Sequence, residues 1–212
     1  MNRRQVNRWV SLLSLSLFAL TAVPARAADE APDALIQRVS TEVLAIIKTD
    51  KTLMAGDVAR IVTLVDTKVM PYVNFQGMTA SAVGPAWRQA TPEQRKRLQD
   101  EFKTLLVQTY AGALINVKEN TISVKPLRAA ADSTSVTVRT EILGRGEPVQ
   151  LDYRLEKTAG DGWKINNLNV LGVWLVETYR SQFRSEINAK GIDGLIASLA
   201  DKNKSNANAK KS

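Results

Sequence analysis

The chain has 212 residues, 44% of them hydrophobic and 24% charged, which is typical of a globular protein and excludes collagen-like, coiled-coil and wholly disordered chains. It contains no histidine and no cysteine, so Ser-His-Asp triads, cysteine-dependent catalysis, disulfides and His- or Cys-ligated zinc are excluded. The formal net charge of +8 raises the question of where the basic residues lie.

The first residues have the pattern of a secretory signal peptide. Three arginines precede Trp9, residues 10–23 are apolar apart from a few hydroxyl side chains, and Ala25-Arg26-Ala27 matches an A-x-A cleavage site. This apolar run is too short to span a bilayer, which needs about 20 residues. We therefore expect residues 1–27 to be removed after Ala27 and the mature protein to be exported beyond the inner membrane, into the periplasm if the cell is Gram-negative.

Most of the excess positive charge lies at the two ends of the chain. Removal of residues 1–27 lowers the formal charge to +4. Residues 201–212 carry four lysines and one aspartate and predict a disordered basic tail. Residues 28–200 then have a formal charge of +1 and are predicted to form a single domain. We expect no nucleic-acid partner, because phosphate binding needs clustered basic residues on the folded surface.

The first part of the mature chain predicts helices. Apolar residues recur at helical spacing between Pro32 and Lys48, and again from Asp57, a candidate N-cap, to the residue before Pro71. The residue before a proline disfavours the helical conformation, so the second helix is predicted to end there. Residues 72–84 predict one further short helix.

A capping box at Thr91-Pro92-Glu93-Gln94 is the clearest local signal in the chain. Threonine and glutamine at this spacing satisfy each other's backbone N–H groups, and proline is well tolerated at the first helical position. The helix that follows has one apolar face, formed by Leu98, Phe102, Leu105, Leu106, Thr109, Tyr110, Ala113 and Leu114.

After Asn120 the apolar spacing changes from 3.6 residues to 2, which is typical of strands with one buried face. Four strands are predicted, with alternating apolar residues at 122–124, 136–142, 149–155 and 163–170. The fourth changes register between Ile165 and Leu168, as at a β-bulge. Short turn sequences separate the strands, so consecutive strands are predicted to pair antiparallel.

The chain closes with a helical stripe from Val173 to Ile187, which ends near Gly191, and a last short helix from Asp193 to Leu199. This order of elements predicts an α+β fold: a four-stranded antiparallel sheet with amphipathic helices packed on one face. The apolar faces could form a close-packed core or enclose an apolar cavity, and periodicity does not distinguish the two.

Catalytic sites that need neither histidine nor cysteine remain possible, such as carboxylate pairs, lysine nucleophiles, Ser-Lys dyads and carboxylate metal sites. None has a recognisable spacing here. Asp100 and Glu101 are neighbours on a helix, so their side chains diverge by about 100°. The chain has no GxGxxG or GxxxxGK[ST] motif. We predict no catalytic residue, no cofactor and no metal site.

Eight sequence blocks occur in one order along the mature chain: Pro71–Phe75, Gly84–Gln94, Glu101–Tyr110, Tyr153–Leu155, Trp163–Ile165, Gly172–Val173, Tyr179–Phe183 and Gly191–Ile196. No single block is specific. Together with the upstream signal peptide, the set resembles the MlaC/toluene-tolerance (Ttg2-type) family of periplasmic phospholipid-binding proteins. The resemblance covers most of residues 35–199.

The resemblance implies a soluble carrier that holds a phospholipid as cargo, with its acyl chains in an apolar cavity and its head group outward. In that family the carrier shuttles lipid between an outer-membrane lipoprotein complex and an inner-membrane ABC transporter, which maintains outer-membrane lipid asymmetry. Such a cavity is physically reasonable because each acyl CH₂ exposed to water costs about 0.8 kcal/mol. With the head group outside, weak head-group selectivity is expected.

The assignment of faces predicts which residues contact the lipid. They are Phe75, Phe102, Leu106 and Tyr110 from the helices, Val138, Leu151, Tyr153 and Val170 from the sheet, and Trp174. Trp87 and Tyr179 are expected in the core. Arg88 and Arg180 could contact phosphate or form structural pairs with aspartate.

The chain departs from the family pattern at two places. An aspartate after the Trp-Lys strand start is replaced by Asn166 or Asn167, and a serine after Gly-Val is replaced by Trp174. The tryptophan either reshapes the cavity mouth or packs elsewhere.

Three other functions are open at this point. One is a carrier or chaperone for lipidated protein in the same compartment. Another is a small enzyme with a cavity, in which one buried carboxylate such as Asp66 or Asp152 acts as base on a hydrophobic molecule. The third is a structural scaffold, which predicts no cavity.

Overall fold

Helices and one antiparallel sheet make up the described part of the chain. The computed structural model describes residues 30–115, 121–130, 132–144 and 147–209. The predicted signal peptide therefore lies outside the described residues, and its prediction stays untested.

The first helices follow the predicted positions closely. They are α1 (Pro32–Thr49), α2 (Lys51–Met54) and α3 (Val58–Leu64), which runs on through a π-helical turn (Val65–Val69) and a 3-10 turn (Met70–Tyr72). The Asp57 carboxylate accepts the N–H of Arg60 at 3.0 Å, which confirms the N-cap. The α- and π-helical region ends at Val69, before Pro71 as predicted, and Pro71 lies in the first positions of the separate 3-10 turn, where its missing N–H is not required.

Two further helices were predicted and are present. Helix α4 (Phe75–Val83) is the short helix within residues 72–84, and a 3-10 turn (Gly84–Arg88) leads to α5 (Pro92–Ile115). The Thr91 hydroxyl accepts the N–H of Gln94 at 3.2 Å, and the Gln94 side chain accepts the N–H of Thr91 at 3.0 Å. The capping box is thus confirmed.

Within the described residues the sheet has five strands in the order β1-β2-β3-β4-β5, all antiparallel. They are β1 (Thr121–Val124), β2 (Ser135–Leu143), β3 (Val149–Thr158), β4 (Gly162–Val170) and β5 (Val173–Trp174). The prediction of four strands is wrong by one. Strand β5 has only two residues, too few for an alternating pattern to show, and the sequence analysis assigned Val173 to the following helix.

The register between β3 and β4 contains the predicted bulge. Leu155 pairs with Ile165, whereas Arg154 pairs with Asn167, so Asn166 is the extra residue. The bulge moves the apolar alternation of β4 by one residue and keeps its apolar side chains on one face.

Paired residues of adjacent strands point to the same face of a sheet. The register therefore places Val138, Tyr153 and Leu168 in one row of the apolar face, and Thr140, Leu151 and Val170 in the next. We call this the inner face because the helices pack on it. Helix α1 covers Val136, Val138, Leu155 and Ile165, while α4, α5 and α6 contact Leu168 and Val170. The outer face includes Arg139, Asp152, Arg154, Asn167 and Asn169.

The last helical region, α6 (Leu175–Ala209), consists of two helical segments joined at Gly191, where φ is +72°. A positive φ suits glycine, which has no Cβ to crowd the backbone. The first segment ends where the sequence analysis placed its end, but the second does not stop at Leu199.

The prediction of a disordered tail is wrong for residues 201–209, which are helical. Asn203 is buried, and its side chain donates to the Glu101 carbonyl at 2.9 Å and to the Glu101 carboxylate at 2.8 Å. This contact docks the second segment of α6 on α5, an interaction that tail composition does not reveal. Residues 210–212 lie outside the described residues.

The largest buried cluster joins α4, α5 and α6 around Phe102, which is completely buried. Its ring centroid lies 5.0 Å from that of Tyr179, 5.1 Å from Phe183 and 5.8 Å from Phe75. Tyr179 is buried in this cluster, as predicted, and Trp87 packs against it.

Helix α1 is fixed to the sheet partly through Tyr153. Burial raises the pKa of the Tyr153 hydroxyl to about 12, although hydrogen bonds to the side chains of Ser40 and Thr140 act in the opposite direction. Ser40 lies on α1 and Thr140 on β2, so this hydroxyl connects two strands and the helix that covers them.

We expect Phe102→Ala to lower the free energy of unfolding by about 3–5 kcal/mol, because it removes the central ring of the largest cluster. Lys96→Ala on the exposed side of α5 should change it by less than about 0.5 kcal/mol. Denaturant titration of both variants measures the difference. Equal stabilities would show that the aromatic cluster does not hold α5.

The alkaline stability of the protein should depend on Tyr153. The folded pKa lies above the value of about 10 for an unfolded tyrosine, so neutral Tyr153 contributes stability below pH 10 that is lost as pH rises towards about 12. We expect the melting temperature of Tyr153→Phe to fall less steeply than that of the wild type across this range. Parallel curves for the two proteins would contradict this assignment.

Candidate functional site

A central part of the inner face is less well covered than its surroundings. Leu151, Tyr153, Leu168 and Val170 are half-buried, and the register makes them a block of two adjacent pairs. We call these four residues the inner-face patch. Val136, Val138, Leu155 and Ile165, which lie next to the patch on the same face, are buried. The helices therefore leave apolar surface of the sheet partly accessible at this place.

Two predicted residues of α5 belong to the same region. Leu106 and Tyr110 lie one helical turn apart, are half-buried, and pack against the Phe102 cluster that also contacts Leu168 and Val170. Burial raises the pKa of the Tyr110 hydroxyl. The structure thus brings Leu106, Tyr110 and Val170 around one cluster.

Other predicted site residues lie deeper. Phe75 and Phe102 are buried in the Phe102 cluster, and Val138 is completely buried beneath α1. Tyr153 packs on the cluster of α1 together with Val138. The interior of the protein is therefore divided, and the inner-face patch lies where the α1 cluster meets the Phe102 cluster.

The structure places Trp174 on the outer face. It pairs with Asn169, which in turn pairs with Asp152 of the outer face. The guanidinium of Arg154 lies 4.4 Å from the centroid of the Trp174 ring, a cation–π contact. Trp174 therefore does not line the inner-face patch, and of the two alternatives for this residue the structure supports packing elsewhere.

A groove of about 780 Å³ runs between α5 and the two segments of α6. Its floor is apolar, formed by Leu105, Tyr179, Phe183, Leu195 and Leu199, and its rim carries polar side chains such as Ser185, Glu186 and Lys202. None of the predicted site residues lines it. Sequence patterns do not predict this groove, because one of its walls is the end of α6, where the composition predicts a disordered tail.

A smaller polar pocket of about 180 Å³ lies at the edge of β4. Burial alone would raise the pKa of the Glu177 carboxyl, but hydrogen bonds from Asn167 at 2.7 Å and Arg154 at 3.1 Å outweigh it and lower the pKa. Arg180 donates from Nε to the Ser81 carbonyl at 2.8 Å. Its observed partner is thus a backbone carbonyl rather than an aspartate.

The two carboxylates considered for catalysis lie away from the inner-face patch. Asp66 is exposed and forms an ion pair with Lys103 at 2.8 Å. Asp152 is buried on the outer face and accepts hydrogen bonds from Gln150 at 2.6 Å and from the Thr140 N–H at 3.3 Å. Neither residue lines the groove between α5 and α6.

The described ranges contain no group of three or more carboxylate residues positioned to hold a metal ion. They contain no helix whose length and hydropathy would allow it to cross a membrane.

The sequence is similar to two bacterial proteins. It is 25% identical over 202 residues to the intermembrane phospholipid transport system binding protein MlaC of Haemophilus influenzae, which covers 94% of each chain. It is 29% identical over 184 residues to the toluene tolerance protein Ttg2D of Pseudomonas putida, which covers 86% of this chain and 83% of the relative.

The fold is similar to that of a solved structure, the phospholipid-binding protein of Ralstonia solanacearum in complex with a phospholipid. The TM-score is 0.81 and the identity 45%, over 85% of this chain and 99% of the other. The model of the MlaC protein family matches residues 37–201. Because this match spans well over half of its length, the chain belongs to the MlaC family.

Proposed function

We propose that this protein is a periplasmic phospholipid carrier that holds acyl chains between the inner-face patch and α5, with the head group outward. The observation that carries the proposal is the similarity to a structure that contains a phospholipid, at 45% identity over nearly the whole of that chain. The names of the two relatives, which refer to phospholipid transport and to toluene tolerance, point in the same direction.

The packing of the interior supports the position of the acyl chains. Leu168 and Val170 belong with the Phe102 cluster, whereas Tyr153 belongs with the cluster of α1. An acyl chain inserted at this boundary separates two clusters without breaking the contacts inside either. Entry through a single close-packed core would disrupt contacts that are worth several kcal/mol per large side chain.

The chemistry of the patch suits a lipid tail. Three of its four side chains are aliphatic, and the hydroxyl of the fourth, Tyr153, is hydrogen-bonded to Ser40 and Thr140. The patch therefore presents carbon to a ligand and no unsatisfied polar group. At about 0.8 kcal/mol for each CH₂ removed from water, such a surface can hold a chain without specific contacts, and weak head-group selectivity follows.

The cellular role belongs to the same proposal. A leader cleaved after Ala27 would deliver the carrier to the periplasm. There it would exchange phospholipid with an outer-membrane lipoprotein complex and an inner-membrane ABC transporter, and so maintain the lipid asymmetry of the outer membrane.

Organic extraction of the purified mature protein, followed by lipid mass spectrometry, tests the carrier function. We expect near-stoichiometric glycerophospholipid, and native mass spectrometry gives the number of lipids bound. A protein that is free of lipid and takes none from vesicles would refute the proposal. Co-purification with a lipidated polypeptide would favour the chaperone alternative.

The position of the acyl chains can be tested with Leu151→Gln and Leu168→Gln. A buried amide without a partner costs about 1–3 kcal/mol, so each variant should hold several-fold less phospholipid while it remains folded. Lipid content per protein and the melting temperature are the two measurements.

Two control variants accompany them. Leu143→Gln changes an exposed leucine at the end of β2 and should leave both quantities unchanged. Val138 lies one row away from Leu151 but in the close-packed region, so Val138→Gln should lower the melting temperature more than the other three variants do. Wild-type lipid content in both patch variants would place the acyl chains elsewhere.

A further inference from the structure

The turn between β4 and β5 exposes apolar side chains that the packing of the protein does not use. Within the described ranges three large apolar residues are exposed, Leu143 at 37%, Val173 at 48% and Leu171 at 66%, and two of them lie here. Residues 165–176 contain no charged side chain, in a chain with 24% charged residues. The turn is therefore an uncharged apolar projection.

The backbone conformation of this turn is unfavourable for Leu171. Leu171 has φ of +53° and Gly172 has φ of +86°, and Leu171 is the non-glycine residue with positive φ in the described ranges. Two-residue hairpin turns of this kind prefer Asn-Gly, because the Cβ of other residues crowds the backbone. Leu171 thus combines backbone strain with an exposed side chain, and this combination points to a binding role rather than to stability.

The exposed surface of the turn is continuous with the inner-face patch. Val173 pairs with Val170, and Val170 pairs with Leu151, so the three side chains lie in a row on the inner face. Val173 is exposed, whereas Val170 and Leu151 are half-buried. An apolar path therefore leads from the tip of the turn to the patch.

The outer side of the turn has a different character. Trp174 is half-buried and stacks on the guanidinium of Arg154 at 4.4 Å. Tryptophan is enriched where hydrocarbon meets lipid head groups, and arginine can place its charge among the head groups while its stem contacts apolar surface. Aliphatic side chains beside a Trp–Arg pair therefore match the change from hydrocarbon to head groups at a bilayer surface.

We propose that the turn between β4 and β5 contacts the surface of a phospholipid bilayer. Leu171 and Val173 enter the boundary of the hydrocarbon, and Trp174 and Arg154 lie at the level of the head groups. Acyl chains then pass along Val173 and Val170 to the inner-face patch, a step that rests on the proposed carrier function. The membrane contact itself does not depend on it.

The variant Leu171→Asn/Val173→Thr tests this contact with the fold preserved. Asparagine favours the left-handed conformation, and threonine retains the branched side chain that suits a strand. We expect an unchanged or raised melting temperature. Sedimentation with vesicles of phosphatidylethanolamine and phosphatidylglycerol should show binding weakened roughly tenfold or more. Leu143→Thr, which removes an exposed leucine outside the turn, should bind as the wild type does.

The depth of insertion can be measured with Trp174 as the sole tryptophan of the mature chain, after Trp87→Phe and Trp163→Phe. Phospholipids brominated on their acyl chains should quench its fluorescence, and the quenching should disappear in the Leu171→Asn/Val173→Thr background. Wild-type vesicle binding by that variant, or a wild type that binds no vesicles and shows no quenching, would overturn the proposal. If the turn binds only a protein partner, the wild type will bind no vesicles and show no quenching.

Lipid extraction separates this inference from the carrier function. A wild type that carries lipid but binds no vesicles refutes the membrane contact only. A wild type that binds vesicles through the turn but never contains lipid supports the contact and refutes the carrier function.

Discussion

The single extra residue in β4 determines which side chains the sheet offers to the helices. Strict alternation from Ile165 would place Asn167 and Asn169 on the inner face, whereas the bulge at Asn166 places Leu168 and Val170 there. It also leaves Asn167 on the outer face, where its side chain accepts the N–H of Val176 at 3.1 Å and donates to Glu177. The apolar patch and the start of α6 both depend on this one-residue shift.

Local features were predicted well from the sequence because neighbouring residues determine them. The capping box at Thr91 is set by contacts within three residues, and the bulge of β4 shows in the sequence as a one-residue shift of the apolar alternation. The failures have two different causes. Strand β5 pairs with residues only three and five positions away, but its two residues are too few to show an alternating pattern. The end of α6 contacts a distant part of the chain, since Asn203 bonds to Glu101, and such a contact leaves no periodic pattern.

In the candidate site, the sequence predicts the face of a residue but not its depth of burial. Val138 and Tyr153 are cross-strand partners with the same apolar pattern, yet one is completely buried and the other is half-buried. Alternation assigns both to a face but not to a depth, because depth depends on how closely the helices approach each row. Trp174 lies on the outer face for a similar reason, since its orientation follows from its pairing with Asn169.

In the proposed carrier, the hydroxyl of Tyr153 would bear on how a lipid is released. It keeps its proton until the solution is strongly alkaline, since its pKa is raised to about 12, and the other three side chains of the patch are aliphatic. Under the proposed function, the patch that would face an acyl chain is therefore electrically the same in acidic and in neutral surroundings. Titration of the patch would then not drive unloading, which would have to come from a competing apolar surface or from movement of the helices.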